Sequence, residues 1–391
     1  TGTPTEYEFN YWLLQRTYLF EDELVNLPEE GNSVESLYVA LEDPYTRYVP
    51  PSKSQSATIS INTSYVEGDV GLEYMFSNQT EYPIFVYRVY PKGPAGRAGI
   101  PRYGNIREIN GVRLNGENAY NTYKAILDTN SEINLVIAKD SKEVTYKIKK
   151  ENIYAPTVFI DTLYQTIFIT ITEFKLNTAD EENGSYGELK AYLDSTQNEK
   201  SMRVINIQGN PGGHVSQCVD MADLFVSEGA LSTQQWRIFT PDGQNDYREK
   251  TTYASKGDPG EKGKFVILAN GRSASCAEIF AAAVSELTDI PIVGSTTFGK
   301  GIGQTNWKTI DNGLAIITNL EFKTPKGNSY HKKGLEPDYP CGDTDALKCA
   351  AATVESLTGK NKLSKNALDT TDKFPFTIIE RDRGIGGAIT F

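Results

Sequence analysis

Three short stretches carry residue types that can do chemistry together. "GRSASCAEIFAAAV" (271–284) follows the apolar run Phe265–Asn270, so its serines sit where a strand gives way to a helix. Ser275 at that junction lies beside backbone N–H groups with no intrahelical acceptor, at the positive end of the helix dipole. Developing negative charge is stabilised there, although serine is also a common helix cap with no further task. "STTFGKGIGQ" (295–304) holds Lys300 between Gly299 and Gly301. The two glycines let the backbone approach its neighbours, so a lysine can be buried without a long loop; the ordinary fate of lysine is solvent. "NIQGNPGGH" (206–214) ends a strand in a sharp turn whose N–H groups suit an oxyanion hole. An ordinary strand-to-helix turn would look the same.

A serine hydroxyl needs a base within hydrogen-bond reach. The chain has two histidines, His214 and His331. His214 follows the Gly-Gly turn and offers a Ser–His arrangement with Ser275, or a thiol version with Cys276; a surface or helix-start place is the bland reading of either histidine. Lysine is the other base. Free in water its pKa is ~10.4, and it is protonated at neutral pH. Burial disfavours the ammonium and can lower that pKa by ~3–5 units, which makes the amine a competent base. The site therefore needs an apolar wall, here Ile279, Phe280 and Phe298, and no carboxylate in contact with Lys300. Two histidines far apart in sequence give no metal-ligand spacing, so no metal is expected. The glycines around Lys300 lack the P-loop pattern, and no cofactor is expected.

The elements that must position these residues follow from periodicity. Residues 5–45 read as helical, with an aromatic and aliphatic stripe in "YEFNYWLLQRTYLFEDELV". Pro44, Pro50 and Pro51 break the chain, and 52–63 is polar. From about 66 to 150 short strands and turns dominate: "PIFVYRVYP", a glycine-rich turn at 92–100, "NIREING" ending on an Asn-Gly turn signal, a helix at 119–127, and a hairpin from "INLVIAK" and "EVTYKIKK". From 153 onward strands at 166–174, 203–208, 265–270, 291–294 and 314–322 alternate with helices near 184–194, 214–227 and 275–287. That alternation is the mark of an α/β core. Residues 360–391 are polar and end in "GIGGAITF", which reads as a loosely attached tail.

Taken together and in this order, NPGG, S-A-S-x-x-E-I-F-A-A-A and T-F-G-K-G resemble the carboxyl-terminal processing proteases, also called tail-specific proteases. Lys300 stands twenty-five residues after Ser275, as in that family's serine–lysine dyad. "DPYTRYV" (43–49), "GPAGRAGI…INGV" and "GLEPDYP" (334–340) resemble further landmarks, so the likeness spans roughly 35–345. It implies a multi-domain α/β protein: a helical segment at 1–63, a PDZ-like peptide-binding domain at 64–152, a crotonase/ClpP-like protease core at 153–345 and an extension at 346–391. By position it implies Ser275 as nucleophile, Lys300 as general base, Gln304 as the residue orienting the lysine, and the N–H groups of Gly212 and Cys276 as oxyanion hole. Glu286 stands where many members have Asp, and a structural part is expected of it; Ser273 is a small neighbour. The PDZ-like unit would take a substrate C-terminus on "GLEY", Gly71, Leu72, Glu73 and Tyr74. Glu73 replaces the usual second glycine, and its charge would repel a terminal carboxylate unless it points outward.

The resemblance implies a serine endopeptidase acting on protein or peptide C-terminal segments through an acyl-enzyme. The competing readings are a peptide-binding scaffold on the same fold, and an acyl-CoA hydratase-type enzyme, for which no CoA-binding feature is visible. The apolar tail end "GGAITF" could itself occupy a binding groove. With 391 residues, 39% hydrophobic and 23% charged, a packed core is within reach. The net charge of −12 argues against a nucleic-acid partner. The chain starts Thr1-Gly2-Thr3-Pro4, which reads as a processed or trimmed form, and the family implies an exported, periplasmic or envelope protein, with membrane anchoring through a missing segment. Cys341 and Cys349 could be bridged or free. Cys218 and Cys276, in apolar contexts, read as small buried residues.

Overall fold

The computed structural model describes residues 2–29, 33–240, 242–360 and 376–381. The motif "GGAITF" lies outside the described residues. The protein is α/β, and its centre is a six-stranded sheet in the order Val158–Leu163, Thr166–Ile171, Met202–Asn206, Lys264–Ala269, Ile292–Gly294, Tyr339–Pro340. The first two strands form an antiparallel hairpin and the rest run parallel. Alternation along the strands sorts their side chains. Ile169, Ile205 and Ile267 face a cluster with Leu189, Val219 and Phe280 of the helices Gly184–Ser195, Val215–Asp223 and Cys276–Leu287. Phe168, Val204 and Val266 face the opposite way, onto Ala350 and Val354 of the helix Ala346–Thr358. Both faces are covered, which is why "TIFITI" and "FVILA" read as continuous apolar runs. The expected extension at 346–391 thus begins with a helix that completes the core.

A second, five-stranded sheet joins Arg47–Val49, Leu314–Lys323, Ala230–Phe239 and Asn245–Tyr253, with Ile302–Lys308 also paired to Leu314–Lys323. Helix Glu6–Thr17, opened by a reciprocal Thr5–Glu8 capping box, packs Leu14 on Ala315 and Ile317 of this sheet. The stretch 52–63, read as polar, falls almost wholly in the helix Pro51–Asn62, which has proline in its first turn. Only its Ala57 is buried, so it carries no apolar stripe that a sequence pattern could reveal.

Residues 65–154 form a β-rich unit. Leu72–Phe76, Ile84–Val89, Asn105–Ile109, Glu132–Lys139 and Lys142–Lys149 follow one another in a sheet, capped by Tyr123 and Leu127 of helix Ala119–Thr129. The expected hairpin turns at Asp140 and Ser141, both at positive φ, as a two-residue turn requires. A strand not expected from the sequence, Thr377–Ile379, lies on the free edge of Leu72–Phe76. The unit is joined to the core by a buried ionic cluster. Asp161, 1% exposed, accepts from Arg88 Nη2 at 2.7 Å, from Tyr87 at 2.9 Å and from Arg102.

Candidate active site

Ser275 caps the helix Cys276–Leu287 with φ at +57°, a region that costs a non-glycine residue about 1–3 kcal/mol. Neighbouring bonds hold it there. Ala274 N–H donates to Asn210 O at 3.0 Å, and Ser275 N–H to Glu278 Oε2 at 2.9 Å. Ser273 is fully buried and donates to Ile207 O at 2.7 Å, so it braces the turn.

Glu278 is the residue that sequence reasoning missed. Fully buried, its carboxylate accepts from Ser275 N, Lys300 N (2.8 Å), Gly299 N (2.6 Å) and Thr297 Oγ1 (2.6 Å). One side chain therefore fixes both the serine turn and the lysine loop. Burial raises its pKa, and the four donors oppose that rise. The available signal was the S-x-x-E spacing of a capping box at Ser275.

Lys300 is 3% exposed, and burial brings its amine down from 10.5 to about 8. Asp43 and Glu278 act in the opposite direction, and burial outweighs them. The wall differs from the expected one. Phe298 is 40% exposed and Phe280 faces the hydrophobic core, while the Tyr45 ring stands 4.2 Å from Lys300 Nζ. Two carboxylates lie nearby, contrary to expectation, but their hydrogen bonds go elsewhere. Glu278 takes three backbone N–H groups and the Thr297 hydroxyl, and Asp43 takes Thr46 Oγ1 (2.6 Å), Tyr45 N (3.1 Å) and Thr318 Oγ1.

Gln304 receives a bond from Lys300 Nζ at 3.1 Å and donates Nε2 to Thr318 Oγ1 at 2.8 Å. Thr318 in turn donates to Asp43, so the amide's orientation is set by a chain anchored on a carboxylate. Ser275, Lys300 and Gln304 line one cavity of about 1320 Å³ together with Gly212, Gly213 and His214. Among the described residues no hydrogen bond joins Ser275 Oγ to Lys300 Nζ.

The turn 210–213 abuts the serine closely. A Cβ on Gly212, which has φ +106°, would lie 2.8 Å from Ser275 Cβ and 3.0 Å from Cys276 N, so only glycine fits. Its N–H donates to Asn210 Oδ1 at 2.8 Å. The N–H of Gly213 has no acceptor among the described residues, nor does that of Cys276 at the helix start.

The cysteines correct another expectation. Cys218 and Cys276 are bridged to each other, as are Cys341 and Cys349. The first bridge links the helix after the glycine turn to the helix opened by Ser275, and it removes Cys276 as a nucleophile. His214 Nε2 meets Asn62 Oδ1 at 3.2 Å instead of Ser275. Glu286 accepts from Lys326 N at 2.8 Å, away from the lysine amine.

On the β-rich unit, Glu73 does not point outward. It is buried, accepting from Arg88 Nη1 at 3.0 Å and Tyr90 OH at 3.1 Å, so its charge is neutralised from behind. Gly71 N–H donates to Asp69 Oδ1 at 2.6 Å, while Leu72 and Tyr74 sit in the strand and face the unit's core.

Residues 165–341 match the model of peptidase family S41. The chain is 28% identical over 308 residues to a probable CtpA-like serine protease of Staphylococcus aureus, covering 78% of this chain and 58% of the relative. It is 26% identical to one of Staphylococcus epidermidis, covering 85% and 64%. The chain thus spans less than two thirds of the length of these curated relatives. Among solved structures, the photosystem II D1 C-terminal processing protease aligns with a TM-score of 0.52 at 20% identity, over 92% of this chain and 99% of that one. A putative S41 protease from Bacteroides fragilis aligns with a TM-score of 0.57 at 12% identity, over 92% and 98%. Residues 165–341 thus resemble peptidase family S41, and the chain is similar to CtpA-like serine proteases and shares the fold of solved proteases of that kind.

Proposed function

We propose that this chain is a serine endopeptidase working through a Ser275–Lys300 dyad. The observation that carries the reading is a lysine amine buried on the same cavity as a serine at a helix mouth, with its pKa near the working range. Substrate entering the cavity would bring the hydroxyl and the amine into contact, since catalytic hydrogen bonds often tighten only in the complex. The neutral amine then takes the Ser275 proton as Oγ bonds to the scissile carbonyl carbon. The carbonyl oxygen becomes an oxyanion on the N–H groups of Cys276 and the glycine turn, through Gly213 or a released Gly212. Collapse breaks the C–N bond, and the ammonium of Lys300 returns its proton to the leaving amine. Water, deprotonated by the same amine, then releases the acyl group and restores Ser275. Gln304 orients the amine throughout.

Residues 64–152 would serve as a PDZ-like unit presenting an extended protein segment, from near a substrate's C-terminus, to the core at 153–345. The two disulfides support an exported protein in an oxidising compartment, periplasm or envelope. Among the described residues no helix is long and apolar enough to cross a membrane. The test is digestion of an unfolded protein substrate, with new termini mapped by mass. Wild type should cut, and Ser275→Ala and Lys300→Ala should not. Binding without cutting by wild type would leave a peptide-holding scaffold.

A further inference from the structure

The free edge of the strand Leu72–Phe76 is occupied by the chain itself. Thr377–Ile379 pairs with it antiparallel, setting Thr377 opposite Phe76, Ile378 opposite Met75 and Ile379 opposite Tyr74. Ile379 shares the side of the sheet that Tyr74 presents to the unit's core and packs there. Two residues on, Arg381 Nη2 reaches Asp69 Oδ2 at 2.7 Å, and its guanidinium stands 5.3 Å from the Tyr90 ring centre. Glu380 lies 3.8 Å from Arg272, just before the serine turn. Arg381 also lines the cavity that holds Ser275 and Lys300.

The loop before the strand has an unusual filling. A loop that captures a peptide terminus offers N–H groups to a carboxylate. Here Gly71 N–H already donates to one oxygen of Asp69, and the other oxygen faces Arg381. A carboxylate supplied by the fold thus already holds this N–H, and its second oxygen offers negative charge to the segment on the edge. Burial works against the Arg381 charge, and Tyr90, Asp69 and Glu73 together outweigh it.

We infer that this edge captures an extended segment passing through, with an aliphatic residue against Tyr74 and a basic side chain on Asp69 and Tyr90, and that Thr377–Arg381 fills it in cis until a substrate displaces it. The inference rests on the peptide-presenting role proposed for residues 64–152 and deepens it. A strand so laid leaves the edge at the catalytic cavity, which connects capture to the place of cutting.

The test uses the full chain carrying Ser275→Ala, so that binding is read without cleavage. The probe is a fluorescein-labelled peptide amide, FTIIERD, the sequence of residues 376–382, followed by anisotropy. Emptying the edge with Ile379→Asp and Arg381→Ala should tighten binding at least tenfold over the parent. Ile378→Pro, which removes a strand N–H, should act in the same direction if the double variant folds poorly. Replacing the peptide's Arg with Ala should weaken binding at least tenfold, and a free carboxylate in place of the amide should change it less than twofold. No binding to the emptied chains would overturn the capture role itself. Equal affinity for parent and emptied chains would overturn occupation in cis alone. Indifference to the Arg, or dependence on the free carboxylate, would overturn the basic-side-chain reading. None of these outcomes depends on whether the dyad cleaves.

Discussion

The Tyr45 ring, 4.2 Å from the Lys300 amine, should set the pH at which the protein works. At pH 7 an amine with a pKa of about 8 is neutral in roughly one molecule in ten, against roughly one in three thousand at 10.5. The gap corresponds to about 3.4 kcal/mol net against the ammonium, burial less the opposing pull of Asp43 and Glu278. Tyr45→Ala admits water and relieves that cost. It also deletes a cation–π contact that favours the ammonium by ~0.5–2 kcal/mol. Burial is the larger effect, so the net change is upward by about 1.4–2.9 kcal/mol, a roughly ten- to hundredfold loss of neutral amine at pH 7. The assay is kcat/KM on a quenched peptide from pH 6 to 10.5. Wild type should rise tenfold per pH unit and level above about 8. Tyr45→Ala should carry the same limb shifted up by one to two units and regain most of its rate at the alkaline end, while Tyr45→Phe keeps the wild-type limb. A Tyr45→Ala limb that stays near 8 or moves down would refute the reasoning, because water exclusion by this ring would not control the amine.

Glu278→Gln exchanges an acceptor of four donors for a side chain that brings donors of its own. A loss of about 3 kcal/mol in urea unfolding and at least tenfold in kcat is expected. Arg88→Ala leaves Asp161 and Glu73 buried with fewer partners, and should destabilise the chain by about 3–5 kcal/mol in the same assay. Replacing Cys218 and Cys276 together by Ala opens a covalent loop whose ends are 58 residues apart in sequence, with an expected loss of about 4 kcal/mol, read as a lowered midpoint under non-reducing conditions.

The α/β core was legible because its strands are short apolar runs punctuated by glycine turns, and two-sided burial leaves no room for polar interruption. The serine turn and the lysine loop were visible as local motifs for the same reason: sharp turns need glycine, and a helix start needs a cap. What covers the lysine was not visible. Tyr45 and Asp43 come from a segment more than two hundred residues away in sequence, and no spacing rule relates them to Lys300. Phe298 looked like a wall because it is aromatic and near in sequence, yet it is largely open to solvent. Pairing of Cys218 with Cys276 likewise depends on two helices packing side by side. The strand Thr377–Ile379 sits in a polar region, and its pairing is decided by an open sheet edge far upstream.

The account turns on Lys300 activating Ser275. Incubation with a fluorophosphonate, followed by peptide mapping, reads that directly. One adduct on Ser275 is predicted, formed faster as pH rises toward about 8 and lost in Lys300→Ala. An unmodified Ser275 in the wild-type chain, or one labelled at the same rate without Lys300, would contradict it.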